Sequence, residues 1–559
     1  MRQRGFLLAA GLIVLAGYVT PLAYAAPNGR ANAALPPPTN LLHQVSAADR
    51  HRWLQAVAIA NRSAAVRSQR KRYPGLRSTT FAFPARCCVD LWFATNGHNR
   101  AFVRVDLRRG KVLQQWTGWQ SDWQMAGAYP GLFGRVWNSP WLLVPLGLLF
   151  IVPFFDWRRP FRMLHLDLLM LVAFGVSHVL FNRGTIGWSV PLVYPVLVYL
   201  LVRMLMIGFR RRPAVTGQRL IPRIPATWLL AGTLVLLCGR IVLNVVDSNV
   251  LDIGYAGVIG AHHIEHGSQL YNGHFAVDPS NGDTYGPVMY LAYVPFEHLI
   301  GWSGRWDDVP AAHAAAITWD LLTALALFLL GRQLRRGREG TLLGGALAFA
   351  WGAYPYSLFA LSNNTNDAFV SMIVVFALLA LTTAPVRGFL LGLGAAAKFA
   401  PLALAPLFAD PNGERRVRPQ LLFAGAILLV LVASIVPFLP PGGLHRFYDR
   451  TLGFQLGRDS PFSVWGQDPS LSWLQTLLKI AAVNLAAVLF IVPERKTPTQ
   501  LAALGAAVLI ALQLPTTHWF YLYVVWFAPL VLIALFTRYE IGARVPEPPP
   551  PQRLAARPA

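Results

Sequence analysis

Apolar segments long enough to cross a lipid bilayer follow one another between residues 137 and 536. A membrane-spanning helix needs about 20 mainly apolar residues, and only helices and closed barrels satisfy every backbone hydrogen bond inside a bilayer. The sequence therefore predicts a mainly α fold, a polytopic membrane helix bundle. The eleven predicted crossings are residues 138–155, 164–182, 188–208, 226–246, 310–330, 340–361, 367–384, 420–439, 471–492, 499–514 and 518–536.

The composition supports a membrane protein. Of the 559 residues, 55% are hydrophobic and 13% are charged, whereas soluble domains carry roughly 25% charged residues. The formal net charge of +24 is a feature of nucleic-acid-binding proteins, but here the arginines lie in short runs between apolar segments. Charges in that arrangement orient membrane helices. The composition therefore argues against a soluble enzyme, a disordered protein and a nucleic-acid partner.

The distribution of basic residues predicts the orientation of the bundle. The segments predicted to be cytoplasmic hold 22 Lys and Arg, and the outer loops after the first crossing hold five. This bias predicts an extracytoplasmic N-terminal region and a cytoplasmic tail at 537–559. It requires that the apolar stretches 286–301 and 389–408 do not each cross, so we predict interfacial or re-entrant helices there. Lys398 is then expected to reach the cytoplasmic headgroups or to pack between helices.

The N-terminal region is predicted to consist of three parts. Residues 1–25 combine a basic start, an apolar run and an A-x-A-like site, which indicates a signal peptide or signal anchor. A Pro-rich linker at 26–41 precedes an extracytoplasmic α+β domain at 42–130, with a helix over 43–72 followed by short strands. The sequence VRVDLRRGKVLQQWTG resembles a PepSY-like module, which implies ligand binding, partner binding or regulation. A structural cap is the alternative.

The predicted outer loop at 247–287 contains no Lys or Arg but is rich in acidic residues and histidines. Long loops in a compact protein often carry function. His262 and His266 are one helical turn apart, which is a spacing that metal ligands use, but the order HHIEH differs from H-E-x-x-H. We therefore favour interfacial polar residues and predict no resident cofactor, with a divalent metal left open as the alternative. The acidic residues are Asp247, Asp252, Glu265, Asp278 and Asp283, and the histidines are His262, His263, His266 and His274.

Asp252 follows the predicted helix 226–246 by six residues, which places it at the boundary between lipid and water. A carboxylate there is hydrated enough to stay ionised and close enough to the bilayer to reach a lipid headgroup. It suits a base that deprotonates an acceptor hydroxyl. The alternative is an aspartate that caps a helix over 253–266.

The segments LDIGYAGVIGAHHIEHGSQLY and TYGPVMYLAYVPF resemble the first outer loop of GT-C polyprenyl-phosphate-dependent glycosyltransferases. They are most similar to glycosyltransferase family 87, the mannosyltransferases that extend phosphatidylinositol mannosides. One departure is Gly286, where the family usually has a proline. Further matches follow in family order at 362–381, 391–408 and 515–530. The resemblance covers residues 226–536, and the additional transmembrane helices at 137–225 lie outside it.

The resemblance implies an inverting glycosyltransferase in the cell membrane, with its active site on the extracytoplasmic face. Asp252 aligns with the catalytic base of the family. The sugar, for which mannose is the expectation, would move from a polyprenyl-phosphate donor to a hydroxyl of a lipid or glycan acceptor. The residues expected to bind donor or acceptor are Tyr255, Tyr271, Tyr285, His518, Arg446, Arg450 and Arg458.

Several alternatives stay open at this point. His518 would equally suit an aromatic-belt position at the membrane surface, and the outer arginines would equally suit solvated loop charges. For the whole chain, the alternatives are a transporter or flippase for a lipid or small molecule, or a membrane sensor that works through its N-terminal domain.

Overall fold

The computed structural model describes residues 47–541, except 86–87, 122, 124–125, 127–139, 211–215, 223–224, 273–274, 276–281 and 305–308. The predicted signal segment, the predicted linker, His274, Asp278 and most of the predicted tail lie outside the described residues.

The described N-terminal residues form two helices that pack on a four-stranded antiparallel sheet. The predicted single helix over 43–72 is wrong, because the chain breaks it at Ser63. The Ser63 hydroxyl accepts the backbone N–H of Val66 at 3.2 Å and so starts a second helix. The elements are α1 (Ala47–Ala60), α2 (Ala64–Arg72), β1 (Arg77–Ala85), β2 (Cys88–Thr95), β3 (His98–Asp106) and β4 (Lys111–Thr117), in sheet order β1-β2-β3-β4.

The rest of the chain is a bundle of apolar helices. Each predicted crossing falls on one helix or on two consecutive helices of the bundle. The helices are α3 (Pro140–Ile151), α4 (Met163–Asn182), α5 (Ile186–Ser189), α6 (Val193–Gly208), α7 (Ala226–Val246), α8 (Asp252–Glu265), α9 (Pro287–Leu291), α10 (Val294–Ile300), α11 (Pro310–Leu334), α12 (Gly337–Ala353), α13 (Pro355–Ser362), α14 (Asp367–Leu379), α15 (Ala384–Lys398), α16 (Ala405–Ala409), α17 (Val417–Ile435), α18 (Gly443–Tyr448), α19 (Phe454–Gly457), α20 (Val464–Gln467), α21 (Ser472–Val488), α22 (Pro498–Gln513) and α23 (Val524–Phe536).

Six stretches of the described chain are long and apolar enough to cross a membrane. This confirms a polytopic membrane helix bundle, while the count of eleven crossings stays a prediction. The six stretches are Met163–Asn182, Ile186–Gly208, Thr227–Val246, Pro310–Leu334, Val417–Phe438 and Pro469–Val488.

The bundle has two ends with different loops. We call the end that carries Asp252 the site end, and the opposite end the basic end. At the basic end, two short parallel strands pair, β5 (Thr216–Arg219) and β6 (Tyr539–Glu540). Arg335 also donates there to the backbone carbonyl of Thr537 at 3.1 Å. These contacts join the segment between α6 and α7, and the end of α11, to the chain that follows the last helix.

The segment 384–409 enters the bundle from the basic end and returns to it. α15 runs parallel to α17, since Gly388 lies against Phe423 and Gly392 against Ile427. The chain then reverses at Phe399 (φ +31°) and descends to Pro411, whose carbonyl accepts the N–H of Lys496 at 3.1 Å. This path agrees with the predicted re-entrant segment.

The prediction that Lys398 reaches the cytoplasmic headgroups is wrong. Because α15 rises through the bundle before the chain reverses, its last residue, Lys398, lies at the site end beside Tyr285. The other stretch predicted to be interfacial or re-entrant, 286–301, forms the short helices α9 and α10, which pack against α8. Neither helix is long enough to cross a bilayer.

Candidate functional site

A buried polar segment at residues 362–367, which we call the asparagine segment, anchors the chain that leads to Asp252. The backbone N–H of Leu251 donates to the carbonyl of Asn363 at 3.1 Å. The side-chain amide of Asn364 donates to the carbonyl of Asn249 at 2.7 Å. Every residue of the segment is at most 2% exposed, so these contacts fix the approach to α8.

Asp252 is the first residue of α8 and is exposed. Its Oδ1 accepts the backbone N–H of Ile253 at 2.9 Å. Two residues further on, a Cβ atom added at Gly254 would lie 2.4 Å from the carbonyl oxygen of Asn364, so α8 begins directly against the asparagine segment. The helix-terminal position agrees with the predicted alternative, and a hydrated carboxylate held in a fixed place also suits a base.

The asparagine segment ends in a buried ion pair that the sequence did not predict. Asp367 is fully buried, and its Oδ1 accepts from the Lys398 ammonium at 2.6 Å and from the Trp526 indole N–H at 2.8 Å. Among the described residues, Oδ2 of Asp367 and both side-chain polar atoms of Asn366 have no hydrogen-bond partner. Buried polar atoms are almost always paired, so this concentration makes the region a candidate functional site.

Tyr285 lies against this ion pair. The Lys398 ammonium is 5.7 Å from the centre of the Tyr285 ring. Tyr271 is buried, and its hydroxyl donates to the backbone carbonyl of Tyr285 at 2.8 Å. This hydrogen bond holds the backbone of Tyr285 in place. Tyr255 is also buried, within the apolar core around α8.

The electrostatics of Tyr285 link Asp252 to the ion pair. Burial raises the pKa of Tyr285 well above its usual range, and the charges of Tyr523, Asp252 and Asp367 raise it further, while Arg458 opposes them. A charge acts on a neighbour in this way only over short distances. The charges of Asp252 and Asp367 therefore act on the same tyrosine.

The turn before α9 approaches α15 so closely that only glycine fits at position 286. A Cβ atom added at Gly286 would lie 1.9 Å from the carbonyl oxygen of Ala396. The backbone N–H of Gly286 also donates to Ala397 at 3.3 Å. This is the physical reason for the departure from the family proline, since a proline ring would clash and could not donate.

We expect Gly286→Ala to destabilise the protein by about 1–3 kcal/mol and to reduce the activity of the site by moving Tyr285 away from Lys398. Thermal unfolding in detergent measures the first effect. Gly425→Ala is the matched control, because nothing lies within 4 Å of a Cβ added there. Equal stability of the two variants would contradict the close approach of Gly286 to the backbone of Ala396.

A cavity of about 120 Å³ opens beside Tyr285 and Lys398 at the site end. Its wall is polar near the loop before α23 and apolar towards α22. The residues that line it are Tyr285, Lys398, Phe399, Ala400, Leu452, Gln455, Leu456, Lys479, Leu509, Leu512, Gln513, Pro515, Thr516, Thr517, His518, Tyr523 and Trp526.

His518 lies in the cavity wall. Its Nδ1 is 2.9 Å from the Ser460 hydroxyl, and its ring packs 5.7 Å from that of Trp123. Burial lowers the pKa of His518 well below its usual range, and the charge of Arg458 lowers it further. His518 is therefore a neutral polar group of the cavity, and Trp123 brings the chain that follows the sheet into contact with the site.

This histidine makes stability depend on pH. Because the folded pKa of His518 lies below its unfolded value, acid protonates the unfolded chain first, and stability falls as the pH drops below about 6.5. We expect the wild type to lose more thermal stability than His518→Gln between pH 7.5 and pH 5.5. Unfolding temperatures of both proteins across that range measure the difference, and identical slopes would contradict the assignment.

The three arginines predicted to bind substrate lie in three different environments. Arg450 forms an ion pair with the buried carboxylate of Asp283, which joins the loop before α9 to the segment after α18. Arg446 is exposed on α18. Arg458 lies 5.9 Å from the Trp123 ring and acts electrostatically on His518. Of the three, only Arg458 therefore faces the cavity residues.

The histidines of α8 lie at its other end, away from Asp252. His262 Nδ1 is 2.7 Å from the carboxylate of Glu297, and His298 Nδ1 is 3.1 Å from that of Glu265. Within the part of the chain that the structure describes, no group of three or more His, Cys, Asp or Glu residues is arranged to hold a metal ion.

Comparison with known protein families bears on the class of function. The chain carries a glycosyltransferase family 87 region, at residues 284–539. This confirms the resemblance over those residues, and the family indicates a membrane glycosyltransferase. The family 87 region contains the cavity and the ion pair of Asp367 and Lys398, whereas Asp252 precedes it. No curated protein matches the chain.

Proposed function

We propose that this family 87 glycosyltransferase moves a sugar, with mannose as the expected one, from a polyprenyl-phosphate donor to a hydroxyl of a lipid or glycan acceptor. The transfer takes place at the site end, on the extracytoplasmic face that the distribution of basic residues predicts. No resident metal or other cofactor takes part.

One observation carries the proposal. Tyr285 lines the cavity, contacts Lys398 and lies in the field of Asp252. Tyr285, a residue of the family 87 region, therefore contacts a buried cation, lines a cavity with polar and apolar walls, and is influenced by the charge of an exposed carboxylate. Such a combination suits a substrate with a polar head and a long apolar chain.

The chemistry is a single displacement. Asp252 takes the proton of the acceptor hydroxyl, and the acceptor oxygen attacks the anomeric carbon as the bond from that carbon to the phosphate oxygen breaks. The bonding electrons leave with the polyprenyl phosphate, and the sugar is transferred with inversion. Cations and hydrogen-bond donors in the cavity wall stabilise the charge that builds up on the phosphate.

The stereochemistry of the product tests this mechanism. The purified full-length chain in lipid nanodiscs is given polyprenyl-phosphate mannose and a phosphatidylinositol mannoside, and the product is analysed by NMR. We expect a mannoside whose anomeric configuration is opposite to that of the donor. Retention of configuration would contradict a single displacement with Asp252 as its base.

The same preparation tests the transporter interpretation. Reconstituted into vesicles with a labelled lipid-linked sugar on one side, a transporter moves the label across the bilayer without forming a glycosyl product. We expect a glycosyl product to form, and we expect its formation not to depend on movement of the labelled lipid across the bilayer. Transport without a product would overturn the proposed function.

A further inference from the structure

Lys479 is a charged residue within a membrane-spanning stretch, and the ion pair of the site does not include it. It lies on α21, inside the stretch Pro469–Val488, and it lines the cavity. Among the described residues, no carboxylate oxygen lies within 4.0 Å of the Lys479 ammonium, which is the distance limit for an ion pair. A cation inside a membrane span is costly and usually serves a function.

Contacts of α21 establish the direction in which Lys479 points. The side-chain amide of Gln475, one turn earlier, donates to the carbonyl of Pro515 at 2.7 Å and to the hydroxyl oxygen of Thr517 at 3.0 Å. Residues four apart lie on the same face of a helix. Lys479 therefore lies one turn deeper than the polar loop of the cavity, on the face that the loop contacts.

The opposite face of α21 is largely exposed in the described part of the chain. Only 17% of the stretch Pro469–Val488 is buried, the smallest share among the six long stretches. Trp473 and Leu477 are 62% and 53% exposed. Helix α21 therefore lies between the cavity and an exposed apolar surface.

The two lysines of the cavity differ in their charge balance. Lys398 is bound to Asp367 at 2.6 Å, so its charge is compensated before any ligand arrives. Lys479 has no such partner among the described carboxylates. The uncompensated positive charge of the described cavity wall therefore comes from Lys479.

We propose that Lys479 binds the phosphate of the lipid-linked donor. The hydroxyl of Thr517 lies on the same side and retains its hydrogen to donate to a phosphate oxygen, since its oxygen accepts from Gln475. Below them, four leucines of the cavity wall contact the first units of the isoprenoid chain. These leucines are Leu452, Leu456, Leu509 and Leu512. The assignment rests on the proposed function for the identity of the lipid.

Binding of a polyprenyl monophosphate, which carries no sugar, tests the assignment without any transfer step. The full-length chain in detergent is titrated with this lipid, and complexes are counted by native mass spectrometry. We expect Lys479→Met to weaken binding at least tenfold, since a charge-assisted contact is lost. Lys479→Arg keeps the charge and is expected to stay within about threefold of the wild type.

A displaced charge provides the matched control. Leu477→Lys in the Lys479→Met background restores the number of charges but places the cation on the lipid-facing side of α21. We expect binding to stay weak in this double variant. Recovery there would show that general attraction of an anionic lipid suffices, and that result would overturn the assignment.

Other results separate this assignment from the proposed function. Lys479→Met binding like the wild type, or a wild type that does not bind the lipid, overturns the role of Lys479, whatever the transfer assay shows. If Lys479→Met loses binding but the wild type transfers no sugar from polyprenyl-phosphate mannose, the lipid-phosphate site stands and the proposed reaction is wrong. In an active enzyme, Lys479→Met is expected to raise KM for the donor more than it lowers kcat.

Discussion

Asp252→Asn is expected to reduce glycosyl transfer by at least ~100-fold, because general base catalysis contributes a factor of about 100 to 10,000. The asparagine amide has nearly the same shape and still accepts the N–H of Ile253, but it cannot take a proton. Asp252 is exposed, so the replacement does not alter the packing of the core. Initial rates with a radiolabelled lipid-linked donor in nanodiscs measure the loss.

Asp247→Asn is the matched control for this experiment. Asp247 lies in the same loop, where the structure places it at the end of α7 and outside the cavity wall. We expect its transfer rate to stay within about threefold of the wild type, as for most surface substitutions. An Asp252→Asn protein that is folded and turns over like the wild type would remove Asp252 from the mechanism.

Lys398→Met is expected to lower the free energy of unfolding by about 3–5 kcal/mol, because it leaves the buried carboxylate of Asp367 without its cation. We also expect it to abolish most transfer, since Lys398 lies in the cavity wall against Tyr285. Thermal unfolding measures the first effect, and the transfer rate per folded molecule measures the second.

Two further variants separate stability from activity. The double variant Lys398→Met with Asp367→Asn removes both charges, so we expect stability to recover while transfer stays low. Arg203→Met breaks another buried pair, in which Arg203 lies 2.8 Å from Asp167 in the part of the bundle outside the cavity. It is expected to lose stability but to keep its rate per folded molecule. Normal transfer by Lys398→Met would contradict a role for the ion pair in the site.

The helices of the bundle could be predicted from the sequence because each depends on local composition. A run of apolar residues is enough to predict a membrane helix, and every predicted crossing falls on helical residues. The helix predicted over 43–72 failed for a local reason as well. Its periodicity continues through Asn61 and Arg62, but Ser63 is a strong N-cap residue, and the chain begins a new helix there.

The position of Lys398 could not be predicted, because it depends on where a helix reverses. The sequence shows a lysine within an apolar stretch, and local composition does not tell whether the helix ends near one membrane face or the other. The reversal at Phe399 and the parallel packing of α15 on α17 settle this only in three dimensions. A usable signal was present, since Asp367 and Lys398 are opposite charges in two apolar stretches, and buried charges are usually paired.

For the remaining site residues too, the sequence indicates position along the chain, whereas packing decides what each side chain contacts. Asp252 was predicted from its distance to the end of a helix, and the structure places it at the start of α8 beside the asparagine segment. Tyr271 and Arg450 were predicted to bind substrate, and the structure places them in contact with Tyr285 and Asp283. Residue type and spacing indicate which groups are polar in a loop, whereas the direction of each side chain is set by its neighbours.

The choice of donor tests the central claim most directly. The purified full-length chain in nanodiscs is given equal concentrations of polyprenyl-phosphate mannose and a nucleoside-diphosphate mannose, each with a different isotope, and the label in the glycolipid product is counted. The cavity at the lipid boundary predicts that the label of the lipid-linked donor appears in the product and that of the nucleotide sugar does not. Label from the nucleotide sugar alone would contradict the account.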